Sequence, residues 1–313
     1  MNWKVKGLAQ SALSVLPGAN SLNYWCQKYV TRAHSNLTET VENRLEKARW
    51  FVSQFQRHRS IALGDAWFYE FGAGWSLAGP LALYCLGVGR QTIVDVAPCA
   101  RLELVNEVID ALNNHRPELP RRPVAGLRSL AELADRFGIL YRAPGDARNT
   151  DLPTATFHCI TSTYTLEHIP RADVMRILQE CRRILKPGGI ILSMIDYQDH
   201  YSFRDSRISA YNFLQYPERQ WRWFNSRLHY QNRLRHSQYL QMFHEYGFEM
   251  LSEELKDPSP GEMERLKSLR LSAEFQRFSI DDLAVMGSQL VCRKSAEEDS
   301  RAHGMEEHAT STR

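Results

Sequence analysis

Two apolar runs, one breaking into glycines and the next ending on a carboxylate, restrict this chain to few folds. Tyr69-Glu70-Phe71 reads as a strand that gives way to Gly72-Ala73-Gly74-Trp75-Ser76, and a second run ends in Thr92-Ile93-Val94-Asp95. Gly72 and Gly74 can take positive φ, so the main chain can approach a ligand with no side chain in between. Ser76 is placed to cap a helix from Leu77 to Leu86, and Pro80 is tolerable there only because it lies near the first turn. In this pattern a helix N-terminus faces a bound nucleoside and Asp95 accepts from its two ribose hydroxyls. Taken alone, the turn has an equally good second reading as a bend that uses glycine for geometry. The dinucleotide fingerprint fails, because its third glycine would stand at Leu77.

The same alternation of strand and helix runs on along the chain. Strands are expected near Ala66 to Phe71, Gln91 to Val96, Ile139 to Ala143, Phe157 to Ser162 and Ile190 to Asp196, with helices over Arg101 to His115 and Arg171 to Ile184. This argues for a parallel sheet with helices on both faces. After Gly247, Phe248 to Leu255 and Leu283 to Cys292 read as two more strands joined by a long polar connection. From Lys294 onward the chain is polar and unpatterned, and is expected to be disordered.

Composition narrows the setting. With 313 residues, 43% hydrophobic and 24% charged, one α/β domain with additions accounts for the length. A net charge of +3 gives no general argument for nucleic acid or membrane. The six cysteines form no Cys-x-x-Cys pair and read as reduced thiols of a cytoplasmic protein. No apolar run approaches the ~20 residues needed to span a bilayer.

Three further motifs follow in order: Gly145-Asp146-Ala147 with Leu152-Pro153; the strand Phe157 to Ser162 leading to Leu166-Glu167-His168-Ile169-Pro170; and Leu185-Lys186-Pro187-Gly188-Gly189 before the strand Ile190 to Ile195. In this ordered set, over roughly Ala66 to Arg293, the chain resembles the class I S-adenosylmethionine-dependent methyltransferases, in particular the type 11/25-like bacterial small-molecule enzymes. The resemblance implies a Rossmann-like, doubly wound α/β sheet of seven strands, the last antiparallel, and S-adenosyl-L-methionine as cofactor. Residues 61–293 would be the methyltransferase domain, 1–60 an N-terminal helical extension or lid, and 294–313 a disordered tail. It assigns Glu70, Gly72, Ala73 and Gly74 to the methionine end and ribose, Asp95 to the ribose, Asp146 with Ala147 to adenine, and Val96 to cofactor binding. Ser162 would lie near the methionine carboxylate or the sulfonium. The chain departs from the family where a third loop glycine is Ser76 and Trp75 is bulky.

Two regions lie outside that common core. Trp3 to Leu16 is amphipathic, Pro17-Gly18 breaks it, and Leu37 to Arg57 reads as a second helix. The segment is either a packing extension or a peripheral membrane anchor built on Lys4, Lys6, Trp3, Val5, Leu8 and Leu13. Residues 197–234 form an insertion after the fifth strand. Between Asp199 and His236 the chain carries seven arginines, three acids and nine aromatics. This suits an anionic or sugar-like small molecule or single-stranded nucleic acid, or equally an aromatic lid whose arginines are solvated or paired. The run Tyr211-Asn212-Phe213-Leu214, Trp221 and Gln231 to Arg235 is similar to bacterial methyltransferases of polysaccharide or other secondary biosynthesis. Nucleic acid is disfavoured, since Ser162-Thr163-Tyr164-Thr165 stands where amino-methylating enzymes of nucleic acids carry Asn/Asp-Pro-Pro-Tyr/Phe.

A hydroxyl acceptor benefits from a base, and His168, Asp196, Asp199 and His200 are the candidates at strand ends. Each has a structural alternative as a cap, a strand end or a binding group. Asp199-His200 falls short of a coordination set, so no metal is expected. A non-catalytic scaffold would have no need of the ribose and adenine acids, and a nicotinamide reductase would need the missing third glycine.

Overall fold

A computed structural model describes residues 3–13, 37–115, 118–203, 205–227 and 229–295. Seven strands form one sheet: β1 (Trp67–Phe71), β2 (Arg90–Val94), β3 (Ile139–Arg142), β4 (Phe157–Thr163), β5 (Leu185–Asp196), β6 (Phe248–Lys256) and β7 (Gly287–Lys294). Their order is β3-β2-β1-β4-β5-β7-β6, and β7 runs antiparallel to both of its neighbours. The other pairs from β3 to β5 are parallel. The doubly wound seven-stranded sheet expected from sequence is therefore the fold.

Strands in such a sheet are covered on both faces, which is why they read as continuous apolar runs. Phe68 enters one side layer, and Tyr69 and Phe71 the other. After a first helix α1 (Trp3–Leu13), the first layer holds α2 (Leu37–His58), with α3 (Ala78–Cys85) and α4 (Leu102–His115). Val41, Leu45, Ala48, Phe51 and Phe55 of α2 are buried in this layer, so the helix is a structural part of the sheet's cover. On the opposite face lie α6 (Arg171–Ile184) and α8 (His236–Glu245), the latter through Tyr239, Met242 and Phe243; the short α5 (Glu132–Phe137) precedes β3, and α7 is Glu218–Trp221.

A third core lies at one end of the sheet. Tyr201, Tyr211, Phe213 and Trp221 of the insertion pack with Trp3 of α1 and with Leu266, Phe275 and Leu283 from the β6–β7 connection, which carries α9 (Pro260–Ser268) and α10 (Ile280–Ala284). Trp3, which an anchor would present to a membrane surface, is buried among Tyr201, Tyr216, Trp221 and Phe224. Among the described residues no helix is long and apolar enough to cross a membrane.

Local expectations fail at four places. Ser76 does not cap α3: the helix begins at Ala78, and Leu77 before it has φ +50° with no side-chain cap. Lys186 to Gly189 do not precede β5 but bulge within it, since Phe157 pairs Leu185 while Cys159 pairs Ile190. Gly188 has φ +68° there, and Arg59 donates to its carbonyl. The strand expected from Leu283 begins only at Gly287, because Ser279 caps α10 by accepting from the Asp282 amide. Lys294, assigned to a disordered tail, ends β7 and is buried. The Pro17-Gly18 break, Cys26 and residues 296–313 lie outside the described residues.

Phe55 is fully buried and its ring meets Phe68 at 4.9 Å. Phe55→Ala is expected to cost about 3–5 kcal/mol, measured as a lower urea midpoint at unchanged slope.

Candidate active site

The order of winding reverses between the parallel strands β1 and β4: from β1 the sheet is built outward through β2, and from β4 outward through β5. Crevices at such switch points, outside the carboxyl ends of strands, are where α/β sheets bind ligands. Gly72 and Gly74 leave β1 with φ +76° and +77°. A Cβ on Gly72 would stand 2.4 Å from Thr165 Cγ2, so glycine is required both by φ and by contact across the crevice. Gly74 faces open space.

Asp95 follows the end of β2. Its buried carboxyl is raised above the usual range by burial, against the opposing pull of the Tyr141 hydroxyl and the main-chain amides of Ala73, Gly72 and Gly74. The glycine turn thus aims its amides at this acid, yet Oδ2 has no hydrogen-bond partner. Glu70 is buried beside it and pushed up to about 8, first by burial and then by Asp95, with Arg44 opposing. Arg44, Lys47, Gly79 and Thr163 line one small cleft with Glu70. Val96 is 81% exposed next to these buried acids. Asp146 lies in the loop after β3 and is held low by the Arg148 guanidinium, 2.7 Å away, which also pairs Asp173 at 2.9 Å. Ala147 packs at the margin of the second side layer.

Ser162 does not stand at the mouth of its strand. It is fully buried opposite Ser193 of β5, and both hydroxyls lack partners. Thr163, the last residue of β4, is the one that reaches the Glu70 cleft.

The catalytic candidates separate. Asp196 ends β5, and His200 Nε2 stands 3.4 Å from its Oδ2. Burial would raise the Asp196 carboxyl, but His200 and the Gln198 amide hold it below the usual range. The His168 ring lies 5.0 Å from that of His200. Asp199 is turned away: it is fully buried, accepts from Asn212 Nδ2 at 2.8 Å and the Tyr201 amide at 2.9 Å, and is raised to about 6 by burial. It fixes the start of the insertion. Two neighbours belong with the histidines. Glu167 is 1% exposed with its carboxyl raised well above the usual range by burial, and His229 is pushed down to about 3 by burial and by His200. A second cleft is lined by Tyr164, Asp196, Gln198, Glu254, Lys256 and Gln289.

The arginines of the insertion mostly tie it together. Arg233 pairs Glu218 at 2.6 Å and donates to the Phe213 and Tyr216 carbonyls. Arg235 is 1% exposed, donates to the Tyr197 carbonyl at 2.9 Å and lies over the Tyr197 and Phe213 rings. Arg207 pairs Asp205. Arg219, Arg222 and Arg227 are exposed, and Arg204 lies outside the described residues. Sequence reasoning missed Arg44, Lys47, Tyr141 and His229, whose partners are remote in the chain; Glu167 and Thr165 were within quoted motifs, but the burial of one and the contact of the other with Gly72 have no local signal.

Residues 87–253, more than half of the chain, match the family model described as a methyltransferase domain. No curated protein matches. Among solved structures, the YcgJ protein of Bacillus subtilis is 14% identical, with 81% of this chain and 98% of that one covered and a TM-score of 0.43. A SAM-dependent methyltransferase of Methanosarcina mazei is 12% identical over 77% and 96%, with a TM-score of 0.41. Geranyl diphosphate C-methyltransferase of Streptomyces coelicolor, solved with Mg2+, geranyl diphosphate and S-adenosyl-L-homocysteine, is 12% identical over 80% and 77%, with a TM-score of 0.44. Likenesses this distant assign the chain no substrate.

Two outcomes follow from the geometry. Gly74→Ala is expected to cost about 1–2 kcal/mol, the left-handed penalty, while Gly72→Ala costs more through the Thr165 clash; thermal unfolding of both ranks them. Glu70 has a folded pKa near 8 against an ordinary 4.5. Its contribution to stability is therefore complete below 4.5 and is lost as pH rises through about 8. Glu70→Gln is expected to flatten the loss of ligand-free stability between pH 5 and pH 8, read by urea unfolding at each pH.

Proposed function

This chain belongs to the methyltransferase domain family and takes S-adenosylmethionine as its cofactor; on that premise we propose that it methylates an oxygen of a small polar acceptor. The observation that carries the reading is the arrangement at the switch point: buried acids on the glycine-turn side, and a histidine and carboxylate group at the ends of β4 and β5. The residues fit the cofactor. Asp95 Oδ2, buried without a donor, suits the ribose hydroxyls, each such bond being worth about 1.5–3 kcal/mol. The turn at Gly72 to Gly74 and the cleft of Glu70, Arg44 and Lys47 suit the methionine end, with its ammonium and carboxylate. Val96 offers an apolar surface to the adenine ring, and Asp146 accepts from its amine by sharing the carboxylate with Arg148.

When bound, S-adenosylmethionine supplies a sulfonium methyl, which the acceptor oxygen takes in line as the carbon–sulfur bond breaks and its electron pair stays on sulfur. The chain's own work is alignment, worth on the order of 7–11 kcal/mol, and removal of the acceptor's proton. The cleft of Tyr164, Asp196, Gln198, Glu254, Lys256 and Gln289 receives the acceptor, with polar groups of both signs suited to hydroxyls. The proton leaves toward Asp196 and the histidines beside it. With Arg207, Arg233 and Arg235 engaged internally, an anionic acceptor would have to rely on Lys256 or the exposed arginines.

By calorimetry the protein is expected to bind S-adenosylhomocysteine, and Asp95→Ala to lose one to a few decades of affinity; undiminished binding by the mutant overturns the cofactor site. His200→Ala is expected to keep that binding and lose about 10²–10⁴ in turnover, assayed with labelled cofactor and a host metabolite extract. Label found on nitrogen or carbon overturns the oxygen assignment.

A further inference from the structure

We propose that Glu167, His168 and His200 form a binding site for one divalent transition-metal ion on the acceptor side of the crevice. Each presents a ligand atom, and the three atoms lie within 4.8 Å of one another. Atoms about 2.1 Å from one tetrahedral ion stand roughly 3.4 Å apart. The set therefore closes on a cation by side-chain movements that bring each pair nearer by no more than roughly 1.4 Å.

The strongest sign is Glu167. A 1%-exposed carboxylate without a partner is costly. Neither of its oxygens has a hydrogen bond of normal geometry, although its own amide and that of Asp196 face them. A cation held by the two histidines supplies what is missing. His168 is oriented for this: its Nδ1 lies 2.8 Å from the Tyr230 carbonyl, so Nδ1 carries the hydrogen and Nε2 keeps its lone pair. Asp196 at 3.4 Å from His200 Nε2 is the outer carboxylate that orients a metal-bound imidazole. The His229 ring, 6.0 Å from that of His200, closes the site from the insertion. Two imidazoles and one carboxylate favour a first-row transition ion over magnesium or calcium, which take mostly oxygen. The set also replaces the Asp199-His200 pair considered from sequence, since Asp199 points elsewhere and His200 finds its partners across the sheet on the turn after β4.

The use of the ion, unlike its binding, rests on the methyltransferase reading. An acceptor oxygen entering an open coordination position is both aligned and made a stronger acid. His200 is then a ligand, and Asp196 is left to take the proton.

The full chain, stripped of metal with chelator, is titrated with Co2+ alone and followed by its visible d–d absorption. Uptake of one equivalent is expected, weakened about 10–100-fold in Asp196→Asn and by more in His200→Ala and Glu167→Gln, with His244→Ala on α8 unchanged. S-adenosylhomocysteine calorimetry on the same proteins reports folding and the cofactor reading separately. Should Glu167→Gln fail to fold, His168→Ala and His200→Ala carry the test. Absence of Co2+ uptake by the wild type overturns the proposal, as does equal uptake by the wild type and the folded ligand variants, whatever the cofactor result.

Discussion

The reversal of winding between β1 and β4 is the constraint on which the rest depends. β1 hydrogen-bonds to both β2 and β4, so it can cover neither the turn that leaves it nor the turn that leaves β4. The two turns meet at the crevice, where Thr165 comes close enough to Gly72 to exclude any side chain there. Register then decides which groups reach the crevice. Phe71 pairs Val94, so Asp95 emerges one step beyond the end of β1. Thr163 pairs Met194, so Asp196 emerges beyond the end of β4. One acid is delivered to each side of the reversal by strand length alone.

The scaffold holds fully bonded polar sets alongside scattered single unpartnered atoms such as the Tyr69 and Ser162 hydroxyls. Arg233 has two carboxylates and two carbonyls, and Glu180 accepts from Thr150 and Arg183. At the edge, Asp95 Oδ2, both oxygens of Glu167 and Nε2 of His229 have no hydrogen-bond partner. Native interiors seldom tolerate such groups. Their gathering at the carboxyl end of the sheet is expected where a ligand completes the bonding.

Much of the frame was legible because strand runs, glycines and acids carry local signals. The order of strands, the turn at Gly72 and Gly74 and the exit of Asp95 all follow from them. The errors have physical causes. An apolar run marks a strand without fixing where it stops, so sequence alone does not distinguish Ser162 from Thr163, the residue that ends β4. A serine before a helix reads as a cap whether or not the chain enters through a left-handed residue, as it does at Leu77. The composition of the insertion could not reveal that Arg233 and Arg235 hold carbonyls instead of a ligand. Asp199 and His200 are adjacent in sequence, yet one faces Asn212 and the other His168.

The third core explains how the two sides of the crevice can differ in what constrains them. Asp95 and the glycine turn belong to the sheet, and a change there disturbs the main packing. His200 and His229 belong to a segment held by Trp3, Tyr201, Trp221 and the β6–β7 connection, a small core of its own. It is joined to the sheet's turn by few bonds: Asn232 donates from its amide to the Glu167 carbonyl and from Nδ2 to those of Leu166 and Ile169, and His168 bonds the Tyr230 carbonyl. Those bonds set the distance between Glu167 and His168 on one side and His200 on the other. The position of His200 and His229 can therefore change with residues 197–234 while the glycine turn and Asp95 stay fixed, provided that Asn232 keeps the seam. The insertion and its seam thus position His200 and His229, while the sheet's own strands supply Asp196, Glu254, Lys256 and Gln289 to the neighbouring cleft.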